Sequence, residues 1–141
     1  MKWHDVLEDY PLEDRKLAMR SMVTGKREQQ TAMGFVYDFG ASFGGAHRLD
    51  TRPDDARRWI SYRNICDDRI DGGYDTIDLS IRTSTNEDLL VPPAVGKAAM
   101  VAMTQREGAI LKHSWSVKDQ IQTAADHAAL DAIDVNAGWP T

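Results

Sequence analysis

Apolar and polar residues alternate along this chain with two different periods, and the changes of period divide it into elements. Leu12, Met19, Met22, Val23 and Lys26 recur at near-helical spacing under a charged face of Glu13, Asp14, Lys16 and Arg20, which predicts a helix over residues 12–30. Pro11 suits the entry to that helix, where a missing N–H is tolerated. Gly25 lies inside it and should weaken or bend it. From Gly34 the period shortens, and Phe35, Tyr37 and Phe39 share one face of a strand that Gly40, Gly44 and Gly45 turn back into Ala46-His47-Arg48-Leu49. This is a hairpin signal. These glycines do not form the G-x-G-x-x-G spacing of a phosphate cradle.

Thr51-Arg52-Pro53-Asp54 has the form of a helix start, with Thr51 as N-cap, Asp54 as the capping-box acid and Pro53 in the first turn. In the helix that follows, Ala56, Trp59, Ile60, Cys66 and Ile70 keep to one side while Asp55, Arg57, Arg58 and Asp68 line the other. Asp71-Gly72-Gly73-Tyr74 ends it. Residues 76–83 alternate apolar and polar side chains as a half-buried strand does, Thr85-Asn86-Glu87-Asp88 turns the chain, and Leu89-Leu90-Val91 returns until Pro92-Pro93 stops it.

The last helical pattern is the longest, running from Ala94 to Ile133 without proline, with Met103, Ile110, Val117, Ile121, Ala124 and Ala128 along one stripe. Gly108 and Ser114-Trp115-Ser116 are its expected bend points, so the stretch can divide into two helices. A helix of this length in a small domain projects beyond its own core, and Ile110, Val117 and Ile121 on its stripe are then the surface offered to another helix. The predicted fold class is α+β: small antiparallel hairpins packed with three helices, the last long and projecting.

Two short segments flank this body. Residues 1–11 carry Trp3, Val6, Leu7 and Tyr10, more apolar surface than a solvated terminus needs, and are expected to form a docking arm. Residues 135–141 form a tail with one aromatic, Trp139. Residues 12–134 then make up a single domain, since 141 residues suffice for one core.

Composition narrows the function by exclusion. A net charge of −5 is a poor match to a phosphate backbone, which argues against nucleic acid as a partner. No apolar run approaches a membrane span or the h-region of a signal peptide, so a chain made and kept in aqueous surroundings without a membrane partner is expected. Cys66 is the single cysteine and has no partner for an internal disulfide; its expected place is the core.

Residues capable of metal or catalytic chemistry are sparse and scattered. His4, His47, His113 and His127 show no paired metal-ligand spacing, and His127 with Asp131 reads as a surface polar pair. Asp67, Asp71, Asp75 and Asp78 fall at positions one, five, nine and twelve of a calcium loop, with Gly72 at position six. Against that reading, Arg69 puts a cation at a ligand position and Asp78 replaces the usual glutamate, so an acidic turn is favoured and no metal or other cofactor is assigned. No serine sits in a G-x-S-x-G elbow, Cys66 has no sequence-local histidine, and the carboxylates are scattered. The chain is therefore expected not to be an enzyme.

Taken in order, Arg27-Glu28 leading to Gly34-Phe35, Leu49-Asp50-Thr51 leading to Asp54-Asp55-Ala56-Arg57, Ile81-Arg82-Thr83 leading to Leu89-Leu90-Val91-Pro92, and a closing alanine-rich helix resemble an uncharacterised domain found toward the C-termini of phage tail-fibre and tail-fibre assembly proteins. The resemblance implies a structural protein of a bacteriophage tail, in the tail fibre, baseplate or tail tip, made in the host cytoplasm and carried in the virion. Its implied partners are other phage tail proteins, with several copies in a symmetric assembly. Two alternatives stand beside this: a tail-fibre assembly chaperone absent from the mature virion, and a calcium-dependent binding module or small hydrolase using the acidic turn.

Overall fold

The computed structural model describes residues 11–141, and their architecture is α+β. Helix α1 (Leu12–Ala32) is followed by strands β1 (Phe35–Asp38) and β2 (Ala46–Leu49), helix α2 (Ala56–Asp71), strands β3 (Leu79–Arg82) and β4 (Asp88–Val91), the long helix α3 (Pro93–Thr123) and the short helix α4 (His127–Asp131). The described residues divide into two compact units, Thr31–Glu107 and a second made from residues 11–30 and 108–141. The buried apolar residues correspondingly form two clusters, where length alone suggests one.

In the unit of residues 31–107, each strand pair is a four-residue antiparallel ladder. Phe35 faces Leu49 and Tyr37 faces His47 in the first, and Leu79 faces Val91 and Ile81 faces Leu89 in the second. Period-two alternation sends Phe35, Leu49, Ile81 and Val91 inward, where they meet Phe39, Trp59, Met100 and Met103. The Ser84 N–H donates to the Arg48 carbonyl at 2.8 Å and ties the two hairpins together. Gly34, between α1 and β1, has φ +89, and an added Cβ would lie 3.0 Å from the Leu49 carbonyl oxygen, so only glycine fits this passage without strain.

The start of α2 is built differently from its expected capping box. The Asp55 carboxylate, not that of Asp54, accepts the Arg52 N–H at 3.0 Å. Thr51 instead donates its hydroxyl to the Thr31 carbonyl at 2.6 Å, satisfying an acceptor in the last turn of α1 that the helix leaves open. Both groups are near neighbours in sequence, and the close of α1 beside them decides which one caps which helix.

In the other unit, Val23, Val117, Ile121, Leu130 and Val135 are buried together, with Met19, Ile133 and Trp139 packed against them. α1 runs unbroken through Gly25, and α3 runs unbroken through Gly108 and Ser114-Trp115-Ser116. The actual stop is at Thr123. Asp126 then takes an extended conformation and accepts the Ala129 N–H at 2.8 Å, opening α4 as its N-cap. Val135 and Trp139, which the pattern assigns to a tail, belong to this cluster. The indole of Trp139 donates to the Val135 carbonyl at 2.9 Å and its ring stands edge-on to His113, 4.6 Å between centroids.

Candidate protein-interaction surface

Within the unit of residues 31–107, α2 and the first half of α3 enclose a cleft of about 420 Å³. Its floor is made by Met100 and Met103, both nearly fully buried, and Trp59 forms a wall. Trp59 is held in place from three directions: its indole N–H donates to the Asp50 carbonyl at 2.6 Å, Tyr62 stands edge-on at 6.3 Å, and the Arg58 guanidinium lies 4.5 Å over its ring. Methionine floors adapt to differently shaped side chains, and a fixed tryptophan presents rigid apolar area. Ile60 also lines the cleft and is 63% exposed. It follows Trp59 by one residue and so sits about 100° further round the helix, which carries it off the core side that the sequence pattern assigns it.

Beneath this surface the chemistry is quiet. Gly96 lets α3 pass close to Tyr62, since a Cβ there would collide with the Tyr62 hydroxyl. Burial pushes the ionisation of that hydroxyl up. The Cys66 thiol, one helical turn on, is fully buried and likewise raised, chiefly by desolvation. A thiol in that state is a packing group, not a nucleophile.

The predicted site residues fare unevenly. Trp3, Val6, Leu7 and Tyr10 lie outside the described residues. Ile110, Val117 and Ile121 are a correction: they are 1%, 4% and 0% exposed, because the stripe they form is consumed by the chain's own packing, Val117 and Ile121 against Val23 and Leu130. The acidic turn does not assemble either. Asp67 and Asp71 fall within α2, one helical turn apart on the same side, but the Asp67 carboxylate is 2.6 Å from Lys97 Nζ. Asp75 and Asp78 are exposed, and among the described residues no three acidic, histidine or cysteine side chains converge as a metal site would require. His127 and Asp131 are linked through a third residue, Arg15, which ion-pairs with Asp131 and donates to the His127 carbonyl at 3.2 Å.

A family model described as "Domain of unknown function (DUF4376)" matches residues 14–136. The chain belongs to this family. No curated protein and no solved structure matches it. The DUF4376 span takes in every residue of the cleft and both buried clusters apart from Leu12 and Trp139, and it leaves out Trp3, Val6, Leu7 and Tyr10.

The cleft of this DUF4376 domain also holds one perturbed carboxyl. Desolvation raises Glu107 above its ordinary value of 4.5, with Arg106 pulling the other way. A carboxyl whose folded-state value is raised favours the folded state most while protonated; as pH climbs from the ordinary value toward the raised one, the unfolded chain ionises first and that contribution is lost. Glu107→Gln is therefore expected to raise the urea midpoint at pH 7 relative to the midpoint at pH 4. Because Glu107 is partly open to solvent, the change will be small, and an unaltered difference between the two midpoints would place its carboxyl in water.

Proposed function

We propose that this DUF4376 protein is a non-catalytic structural component of a bacteriophage tail that acts by binding other tail proteins. The observation that carries the binding role is the cleft of residues 56–107: a methionine floor, a braced tryptophan wall and the exposed Ile60 at its side. Such an apolar hollow is what a partner's anchoring side chain fills at an interface. The tail assignment is supported by the resemblance of the ordered segments from Arg27-Glu28 to the closing helix. Mass spectrometry and cryo-electron microscopy of purified virions test it. The expected result is several copies of the chain in the tail and reduced incorporation of Ile60→Glu, which introduces a charge into the cleft while altering a side chain that the fold leaves in water. A chain abundant in infected cells but missing from purified particles would overturn the structural role and favour an assembly chaperone.

A further inference from the structure

We propose that the outward face of α3 between Gly108 and Thr123 packs antiparallel against the same face of a second copy of this chain. The stripe of Ile110, Val117 and Ile121 is buried within the chain, and the opposite side of the helix carries Gly108, Lys112, Trp115, Asp119 and Thr123, all exposed. Trp115, near the middle of this face, is 56% exposed. Beside it lies a shallow hollow of about 470 Å³ whose described lining residues include Lys112, Ser116 and Asp119. Tryptophan is among the residue types that most often anchor an interface.

The charges on the face select a second copy as its occupant. Lys112 and Asp119 are seven residues apart, two helical turns, and so lie on one side of α3, with Trp115 and Ser116 midway between them. A two-fold axis passing between Trp115 and Ser116 sets Lys112 of one copy against Asp119 of the other, twice over, as an isologous contact requires. Among the described residues neither charged group has an ion-pair partner of its own. The same axis sets Trp115 opposite Ser116 and Gly108 opposite Thr123, so large side chains meet small ones and can interdigitate. A parallel arrangement would instead oppose Lys112 to Lys112 and Asp119 to Asp119, which like charges resist. Gly108 is a separate observation in favour of a close neighbour. A Cβ added there would meet nothing within 4 Å, so no contact in the described chain calls for glycine at a helix-interior position that disfavours it. A second backbone passing close to α3 does call for it.

Sedimentation velocity on the full chain tests the proposal. Expected are a concentration-dependent dimer and self-association weakened about tenfold or more in Trp115→Ser. Lys112→Glu and Asp119→Lys should each weaken it as well, most clearly at low salt. Recombining the charges then reads the register: an equimolar mixture of the Lys112→Glu and Asp119→Lys chains, and one chain carrying both changes, should each associate to within about threefold of the parent. The substituted positions are all exposed, and circular dichroism establishes that each variant is folded; the charge variants read the contact even where Trp115→Ser disturbs the helix. A chain that stays monomeric at about 100 micromolar, on the order of a weak homodimer's dissociation constant, overturns the proposal and leaves the Trp115 face to a different partner. So does self-association that Trp115→Ser leaves unchanged, or a doubly exchanged chain that stays as weak as the single variants. The cleft of residues 56–107 lies outside this face, so reduced virion incorporation of Ile60→Glu in a monomeric protein would leave the tail role standing while overturning the dimer.

Discussion

Ile121→Ala is expected to lower the unfolding free energy by about 3 kcal/mol, within the range of roughly 2–5 for truncating a buried isoleucine. Ile121 is fully buried with Val23, Val117, Leu130 and Val135. These residues come from α1, the end of α3, α4 and the segment after it, so four separate pieces of chain meet on one side chain. Removing three carbons there takes away transfer free energy and leaves a cavity that four converging elements cannot all relax to fill. For a chain of this length the loss corresponds to a fall in melting temperature of roughly 10 °C. Urea unfolding followed by far-ultraviolet circular dichroism measures it directly. The alternative role, in which Ile121 is part of an external stripe, makes the opposite forecast: unchanged stability of the isolated chain and a loss confined to partner binding.

Lys16→Met should cost about 2 kcal/mol, an amount typical of a buried hydrogen bond from a charged donor. Lys16 is 5% exposed, and its Nζ donates to the Gln122 carbonyl at 2.9 Å with the Glu13 carboxylate at 3.6 Å. Gln122 lies in the last turn of α3, whose carbonyls have no partner within the helix and carry the negative end of its dipole. A buried ammonium at that point satisfies an acceptor and answers the dipole at once. Methionine keeps the unbranched stem and removes the donor, so the comparison isolates the polar contact from the packing of the side chain. Arg15 and Arg20 reach the same region, to His127, Asp131 and the Gln122 side chain, but the Arg20 contact is exposed to solvent, and Arg20→Met is expected to cost well under 1 kcal/mol. Equal and negligible losses in the two variants would show that Lys16 Nζ is hydrated in solution.

Lys16 also illustrates what a pattern can and cannot convey. By spacing it belongs to the charged face of α1, with Glu13 and Arg20, and local periodicity has no means of signalling that the end of a helix more than a hundred residues away in sequence will settle over it. The signal that could have found it is chemical: a helix terminating near Thr123 needs a donor for its carbonyls. Ile60 misleads in the other direction. It reads as part of the Trp59 side of α2 and stands largely in water, because a helix that touches the core through a narrow stripe leaves the adjoining 100° position outside it.

The proposed cleft was legible only in part. Trp59 and Met103 are recognisable as apolar positions of amphipathic helices, but that Met100 and Met103 floor a hollow beside Trp59 depends on α2 and α3 lying side by side, a contact between residues some forty positions apart. The acidic turn shows the converse. Its spacing is that of a liganding loop, yet Asp67 and Asp71 are committed to α2, Asp67 is paired with Lys97, and among the described residues no third carboxylate converges with them.

By itself the sequence determined the α+β class, the order of helices and hairpins and the placement of Cys66 in the core, all consequences of short-range periodicity and side-chain polarity. Tertiary structure alone decided that the apolar stripe of α3 is spent inward, that the end of α3 is capped by Lys16, that Val135 and Trp139 join a core, and that buried residues collect in two clusters. Each of these turns on which distant surfaces meet, and burial is a property of the pair that meets, not of either segment read along the chain.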